Sequence, residues 1–195
     1  LYLMHHRDPR KLFPHDHVMR HTIIPLIPKA VTPNMVTLFR IALTPVVLWF
    51  LYVELYVIGV PLFLFVAFTD AIDGSLARLR NNITDWGTLY DPIADKLLIA
   101  SVVLLVVVQH VNLIFGLMII IVEAAIVLGA YFRKLDGKVI GSNLFGKTKM
   151  VLQVLGVTFL LLAIWGGLDL FIPVSIGTLA LALVFAVISL FTYGL

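Results

Sequence analysis

Cysteine is absent from this chain of 195 residues, and charged residues make up only 13% of it. Without cysteine there is no disulfide framework, no zinc–thiolate site and no thiol nucleophile. The scarcity of charge, together with a hydrophobic content of 61%, excludes an ordinary soluble domain and indicates an integral membrane protein. The basic residues form no separate basic domain, which excludes a soluble nucleic-acid-binding protein. No cleavable signal peptide is expected, because the first residues are polar and basic.

Long apolar stretches separated by short polar ones predict six membrane-spanning helices. Each stretch is close to the ~20 residues that cross ~30 Å of hydrocarbon. Residues 16–28 mix apolar and basic positions and predict a short helix lying in the headgroup layer. We therefore predict an all-α, polytopic membrane protein with a cytoplasmic or interfacial N-terminal segment, residues 1–31, and one six-helix transmembrane catalytic domain, residues 32–195. The predicted spans are residues 33–53, 57–80, 86–110, 112–132, 146–165 and 172–193.

Lysine and arginine collect at one end of these spans. They occur in the N-terminal segment, in the turn after the second span and in the loop after the fourth, whereas the opposite turns have none. The positive-inside rule then places both termini on the cytoplasmic side of a cell's inner membrane, with the turn after the second span. An even number of spans agrees with that placement.

Four aspartates mark a polar stretch that covers the end of the second span and the start of the third, DAIDGSLARLRNNITDWGTLYDPIADK, residues 70–96. Asp70 and Asp73 are three residues apart and Asp91 and Asp95 are four apart, so on a helix each pair points to one face. Like charges this close repel, and a carboxyl group would protonate unless a cation held it. Clustered hard oxygen ligands favour Mg²⁺, Mn²⁺ or Ca²⁺ over Zn²⁺. The stretch therefore predicts a divalent-metal site at the cytoplasmic membrane face.

Such a site suits phosphoryl transfer at a lipid surface. Metal ions would neutralise a pyrophosphate, and one carboxylate could take a proton from an attacking hydroxyl group. Charged side chains inside membrane spans are costly, which makes them functional candidates.

The full spacing, D-x-x-D-G-x-x-A-R, eight residues, then G-x-x-x-D-x-x-x-D, resembles the signature of the CDP-alcohol phosphatidyltransferases, and all eight fixed positions are filled. The resemblance implies transfer of a phosphatidyl group from CDP-diacylglycerol to an alcohol, with release of CMP. It also implies two Mg²⁺ or Mn²⁺ ions, a homodimer and contact with membrane lipids. The implied metal ligands are Asp70, Asp73, Asp91 and Asp95. The implied CDP-lipid-binding residues are Asn34, Thr37, Asp70, Asp73, Gly74, Ala77, Arg78 and Gly87.

The resemblance also implies individual roles. Asp95 is the implied general base and also a metal ligand. Gly74 and Gly87 would let the cytidine nucleotide approach the helices, because glycine leaves room that no other residue leaves. Arg78 would pair with the pyrophosphate through its guanidinium fork. Small residues also suit helix crossings, and basic residues also suit anchoring at the membrane surface, so structural interpretations stand beside these roles.

Two other stretches concern the acceptor alcohol. P-N-x-x-T-x-x-R, residues 33–40, and G-K-x-K, residues 146–149, resemble the bacterial branch of the family that uses glycerol 3-phosphate. Glu123 matches a glutamate of that branch, but Val122 stands where an arginine usually precedes it. Glycerol 3-phosphate is thus the implied acceptor, with inositol phosphate and phosphatidylglycerol left open. The predicted acceptor-binding residues are Arg40, Arg133, Lys147 and Lys149.

Glu123 has two interpretations, a direct role in the site or a structural partner to Arg40, because an unpaired carboxylate within a span is strongly disfavoured. A divalent-cation transporter that uses the four aspartates as an ion path is a competing hypothesis. The apolar outer halves of the spans, for example residues 102–108 and 159–164, argue against it. A non-catalytic lipid-binding protein is a weaker alternative, because all four aspartates are present.

Overall fold

The computed structural model describes residues 19–28, 30–80, 84–135 and 144–193, and the regular elements in these ranges are all helical. The all-α prediction is therefore confirmed. Within a few residues, the helix bounds agree with the spans predicted from the sequence. The long helices are α1 (Pro33–Tyr52), α2 (Tyr56–Leu79), α3 (Asp85–His110), α4 (Leu113–Leu135), α5 (Leu144–Gly166) and α6 (Phe171–Tyr193).

Within the described residues, five helices are long and apolar enough to cross a membrane. The protein is thus a multi-pass helical membrane protein, and a sixth crossing by α4 stays a prediction. That helix contains a shorter apolar run, Leu113–Gly129. The five candidate spans are Pro33–Tyr52, Tyr56–Leu79, Ile93–His110, Leu144–Gly166 and Phe171–Thr192.

The N-terminal segment is described from residue 19 onward. Residues 19–22 are helical, and Ile24–Leu26 forms one turn of 3-10 helix that ends at the extended residue Ile27. Residues 16–18 of the predicted interfacial helix lie outside the described residues, so that helix stays a prediction.

The chain divides into two compact units that are not consecutive in sequence. The first consists of Leu1–Val46 and Leu62–Leu98, and the second of Val47–Pro61 and Ile99–Leu195. Both contain parts of the predicted domain of residues 32–195, whose unity stays a prediction.

The first unit has an apolar core that also encloses charged groups. Its largest fully buried apolar side chains include Phe63, Leu76 and Leu98. Arg40 is buried among them with no exposed surface, and Asp73 has 1%. Charges buried this deeply need partners, because an isolated ion in a low-dielectric interior is very unfavourable.

In the second unit, close helix contacts depend on glycine. A Cβ atom at Gly156 on α5 would lie 2.7 Å from Cγ of Leu179 on α6, and one at Gly116 would lie 2.8 Å from Cγ2 of Val108. Small residues allow membrane helices to approach closely enough for extensive van der Waals contact. The contact between α5 and α6 is built in this way.

Candidate active site

One arginine joins the first two aspartates of the motif. Arg40 on α1 donates a hydrogen bond from Nη1 to Oδ1 of Asp70, and another from Nη2 to Oδ2 of Asp73. Both contacts are also ion pairs. The two aspartates are three residues apart on α2 and therefore present their carboxylates on one face, as the spacing predicted. The planar guanidinium fork suits two acceptors at once.

The two carboxylates differ in exposure. The side chain of Asp70 is 42% exposed, whereas that of Asp73 is 1% exposed. Asp73 also lies 3.4 Å from the hydroxyl oxygen of Thr37, which is itself 3.3 Å from the carbonyl oxygen of Pro33. A hydroxyl has one hydrogen to donate, so it serves either the carbonyl or the carboxylate. Asp70 is thus the member of the pair that is open to a ligand.

A third carboxylate belongs to the same electrostatic environment. Asp95 on α3 is 7% exposed, and its charge acts on the Arg40 guanidinium together with those of Asp70 and Asp73. The structure therefore pairs two of the four predicted aspartates with one buried cation, and a third, Asp95, interacts with that cation electrostatically. The side chain of Asp91 lies outside the described residues, as does the surrounding of Gly87, although both positions belong to α3.

The space beside Gly74 is taken by a side chain of the same helix. A Cβ atom at Gly74 would lie 3.3 Å from Nη1 of Arg78 and 3.5 Å from its Nη2. Arg78 is one helical turn later, and its guanidinium lies back over the glycine; Ala77, between them in sequence, is half-buried. The resemblance implied that this glycine makes room for the nucleotide. In the structure the Arg78 guanidinium lies next to this glycine, and the room that Gly74 leaves for the nucleotide stays a prediction.

A polar contact joins the start of α3, which carries the second half of the motif, to the start of α1. The Thr84 hydroxyl, just before α3, donates to Oδ1 of Asn34 in the first turn of α1 at 2.8 Å. Asn34 was predicted to bind the CDP-lipid, and here it links two helix ends. No pattern in the sequence pointed to this contact, because it joins residues 50 positions apart.

Arg80 holds the segment that precedes α1. Its Nη2 donates to the carbonyl oxygen of Ile27 at 2.7 Å, and its Nη1 to those of Pro28 and Val31 at 3.2 and 2.8 Å. Three backbone carbonyls are thereby satisfied by one side chain, which we call the Arg80 clasp. Sequence reasoning placed Arg80 only among the basic residues of the cytoplasmic face.

In the second unit, a separate polar cluster contains two further residues of interest. Lys149 on α5 forms an ion pair with Glu123 on α4, and Gln153 donates to the same Oε1 atom at 2.9 Å. Lys149 is 7% exposed and Gln153 is 6% exposed. Glu123 therefore pairs with Lys149 and not with Arg40, which pairs with Asp70 and Asp73. Lys147 is exposed in the first turn of α5, and the side chain of Arg133 lies outside the described residues.

The acidic cluster of the first unit has the chemistry of a hard-cation site. Among the described side chains, no group of three His, Cys, Asp or Glu residues is placed to hold a metal ion. Even so, Asp70 and Asp73 converge on a single positive group, and Asp95 adds a third negative charge. Carboxylate oxygens of this kind are the ligands that Mg²⁺ and Mn²⁺ prefer. The donor chemistry of these residues therefore suits a divalent cation, and a complete ligand set is not formed by the described side chains.

Apolar helices that carry a buried carboxylate cluster define this chain as an integral membrane protein with a polar site on its spans. The family model for CDP-alcohol phosphatidyltransferase matches residues 30–191, which is most of the chain. The chain therefore belongs to the CDP-alcohol phosphatidyltransferase family and is an enzyme of that family.

Several relatives share one name, CDP-diacylglycerol–glycerol-3-phosphate 3-phosphatidyltransferase. The protein of Bacillus subtilis (strain 168) is 30% identical over 146 residues, which cover 67% of this chain and 76% of the relative. That of Rickettsia bellii is 33% identical over 134 residues, covering 67% and 74%. That of Pseudomonas fluorescens is 36% identical over 100 residues, so the match spans about half of each chain, 50% and 49%.

Proposed function

We propose that this protein is a phosphatidylglycerophosphate synthase, which transfers a phosphatidyl group from CDP-diacylglycerol to glycerol 3-phosphate and releases CMP. The complete acidic motif carries the proposal, because its first half converges on one buried cation within a membrane protein of this family. The name shared by the relatives supports glycerol 3-phosphate as the acceptor.

The motif aspartates are proposed as the ligands of a divalent cofactor, Mg²⁺ or Mn²⁺, with two ions at the site. When bound, such ions neutralise the pyrophosphate and stabilise the charge that develops during transfer. The ligands would be Asp70, Asp73, Asp91 and Asp95.

The chain's own residues would bind and orient the substrates. Arg78, which lies over Gly74, pairs with the pyrophosphate of the CDP-lipid. Asp95 accepts the proton of the acceptor hydroxyl. The hydroxyl oxygen then forms a bond to the β-phosphorus, the bond from that phosphorus to the CMP oxygen breaks, and CMP leaves with the electron pair.

The acceptor-binding residues are supported less directly. Lys147 is exposed and suits a phosphate contact, and Arg133 stays a prediction from the sequence. Lys149 pairs with Glu123, and Arg40 pairs with Asp70 and Asp73, so an acceptor phosphate would compete with these carboxylates for either side chain.

We further propose that α4 is a sixth membrane span. Its 23 residues would extend ~34 Å at 1.5 Å per residue, which is enough to cross the hydrocarbon core. Six spans would place both termini and the motif on the cytoplasmic side of the inner membrane, as the distribution of basic residues favours. A homodimer remains part of the proposal through the family resemblance.

Another acceptor is the main alternative, and Val122 is the observation that favours it. An arginine that usually precedes the glutamate in the glycerol 3-phosphate branch is replaced here by valine. Inositol phosphate or phosphatidylglycerol would then take the place of glycerol 3-phosphate. The transporter hypothesis is set aside, because the family match shows an enzyme.

The test is CMP release by the purified protein in detergent, supplied with CDP-diacylglycerol and Mg²⁺ or Mn²⁺. Glycerol 3-phosphate, inositol phosphate, serine and phosphatidylglycerol are offered separately. We expect release with glycerol 3-phosphate and none with the others. Release of CMP with inositol phosphate alone, or with phosphatidylglycerol alone, would show that this compound is the acceptor in place of glycerol 3-phosphate. If the protein binds the CDP-lipid but releases CMP with none of the four compounds, the proposed activity is refuted.

A further inference from the structure

We propose that Arg40 is an internal counter-cation for the metal site, which holds Asp70 and Asp73 before a divalent ion binds and competes with that ion for their oxygens. This inference rests on the metal binding included in the proposed function, but not on the identity of the acceptor. It assigns to Arg40 a positioning role in place of contact with substrate.

The contacts of the guanidinium are all directed to the motif. Both terminal nitrogens of Arg40 donate to carboxylates, and the residue has no exposed surface. Its Nε is also buried and makes no hydrogen bond with any group in the described part of the chain. Among the described residues, Asp70 and Asp73 are therefore the hydrogen-bond partners that orient the guanidinium, which has no exposed surface.

The charges of the cluster require such a cation. Asp70 and Asp73 lie one turn apart on an apolar helix, where two ionised carboxylates without a counter-charge would repel each other strongly. Asp95 adds a third negative charge that also acts on the guanidinium.

The same atoms serve both partners. Oδ1 of Asp70 and Oδ2 of Asp73 accept the hydrogen bonds of Arg40, and carboxylate oxygens are also what a hard cation binds. A divalent ion on these oxygens would stand close to a positive guanidinium in a poorly screened environment and would be repelled by it. Arg40 therefore stabilises the metal-free protein and weakens metal binding.

The experiment compares Arg40→Gln and Arg40→Lys with the unchanged protein. Mn²⁺ binding is measured in detergent by electron paramagnetic resonance, without substrate, and thermal unfolding is followed in EDTA and in Mn²⁺. The control is Arg80→Gln, which removes a partly buried arginine whose partners are backbone carbonyls.

We expect Arg40→Gln to bind Mn²⁺ about tenfold more tightly, because the nearby positive charge is gone. Its unfolding temperature should fall in EDTA and recover when Mn²⁺ is added. The Mn²⁺ affinity and the unfolding temperature of Arg40→Lys should lie between those of the unchanged protein and those of Arg40→Gln. The reason is that one ammonium group cannot hold two carboxylates as a planar guanidinium fork does. Arg80→Gln should leave Mn²⁺ affinity unchanged and lower the unfolding temperature equally with and without the ion.

Unchanged or weaker Mn²⁺ binding by folded Arg40→Gln would overturn the inference, as would an equal loss of stability with and without Mn²⁺. If Arg40→Gln does not fold in EDTA, Mn²⁺ binding is measured for Arg40→Lys instead, and unchanged or weaker binding by that variant would overturn the inference. An unchanged protein that binds Mn²⁺ but releases no CMP with any acceptor would refute the proposed activity and leave the role of Arg40 intact. An unchanged protein that binds no Mn²⁺ would overturn the role of Arg40.

Discussion

Lys149 on α5 donates to the carboxylate of Glu123 on α4, and both side chains are largely buried. Gln153, one turn after Lys149, donates to the same oxygen atom. Removal of one partner from such a pair leaves the other charge buried and uncompensated, which costs far more than the pair contributes. The pair thus fixes α4 against α5, and the role of Lys149 in binding an acceptor phosphate stays a prediction.

The first prediction concerns this pair. Glu123→Gln keeps the size of the side chain but leaves the Lys149 ammonium unpaired, so we expect a loss of about 3 kcal/mol in the free energy of unfolding. Lys149→Met alone should cost a comparable amount. The double variant should recover most of the loss, because no buried charge is left. Denaturant unfolding in detergent measures all three, and strictly additive losses would show that the two residues are not coupled.

The second prediction concerns the contact between Gly74 and Arg78. In Gly74→Ala the new Cβ atom, 3.3 Å from Nη1, must displace the guanidinium by a few tenths of an ångström. We expect the KM for CDP-diacylglycerol to rise about tenfold, because a displaced fork loses one charge-assisted hydrogen bond. The unfolding temperature should change little. The control is Gly177→Ala, where a Cβ atom would meet no described atom within 4 Å, and equal KM values for the two variants would contradict the role of Arg78.

The third prediction tests the proton acceptor. Asp95→Asn preserves the size of a buried side chain but cannot accept a proton, so we expect CMP release to fall by about 100-fold or more. Binding of the CDP-lipid should persist, which separates loss of chemistry from loss of fold. Asp169→Asn is the control, because Asp169 is an exposed aspartate in the turn between α5 and α6. Turnover by Asp95→Asn at the rate of the control would refute the assignment.

The fourth prediction concerns the contact between α5 and α6. Gly156→Ala places a Cβ atom 2.7 Å from Cγ of Leu179, and overpacking of this kind costs about 1–3 kcal/mol. Shortening the neighbour in Gly156→Ala with Leu179→Ala should relieve the clash and recover part of the loss. Unfolding in detergent provides the measurement. If Gly156→Ala and Gly177→Ala have the same free energy of unfolding, the prediction is contradicted, because α5 and α6 would then move apart at no energetic cost.

Features that depend on one helix at a time could be predicted from the sequence. The all-α fold, the helix bounds and the shared face of Asp70 and Asp73 follow from apolar run length and from helical spacing. These are local properties, and the structure confirms them. The side chain of Asp91 lies outside the described residues, so its place in the cluster stays a prediction.

Partners across helices could not be predicted in the same way. A pairing of Glu123 with Arg40 was one of two interpretations of the sequence, but in the structure Arg40 pairs with Asp70 and Glu123 pairs with Lys149. Periodicity tells which residues share a face and does not tell which face of another helix meets it. The position of Arg78 over Gly74 was also missed, because it depends on a side-chain rotamer.

The Arg80 clasp has a consequence for how this part of the chain can vary. Its acceptors are peptide carbonyl oxygens, which every residue type supplies in the same place. Ile27 and Val31 are therefore exchangeable as far as the clasp is concerned, provided that the backbone keeps its path. Arg80 has no such freedom, because no other side chain offers a planar set of donors for three carbonyls. Substitutions at Ile27 and Val31 should thus be tolerated, whereas substitutions at Arg80 should not.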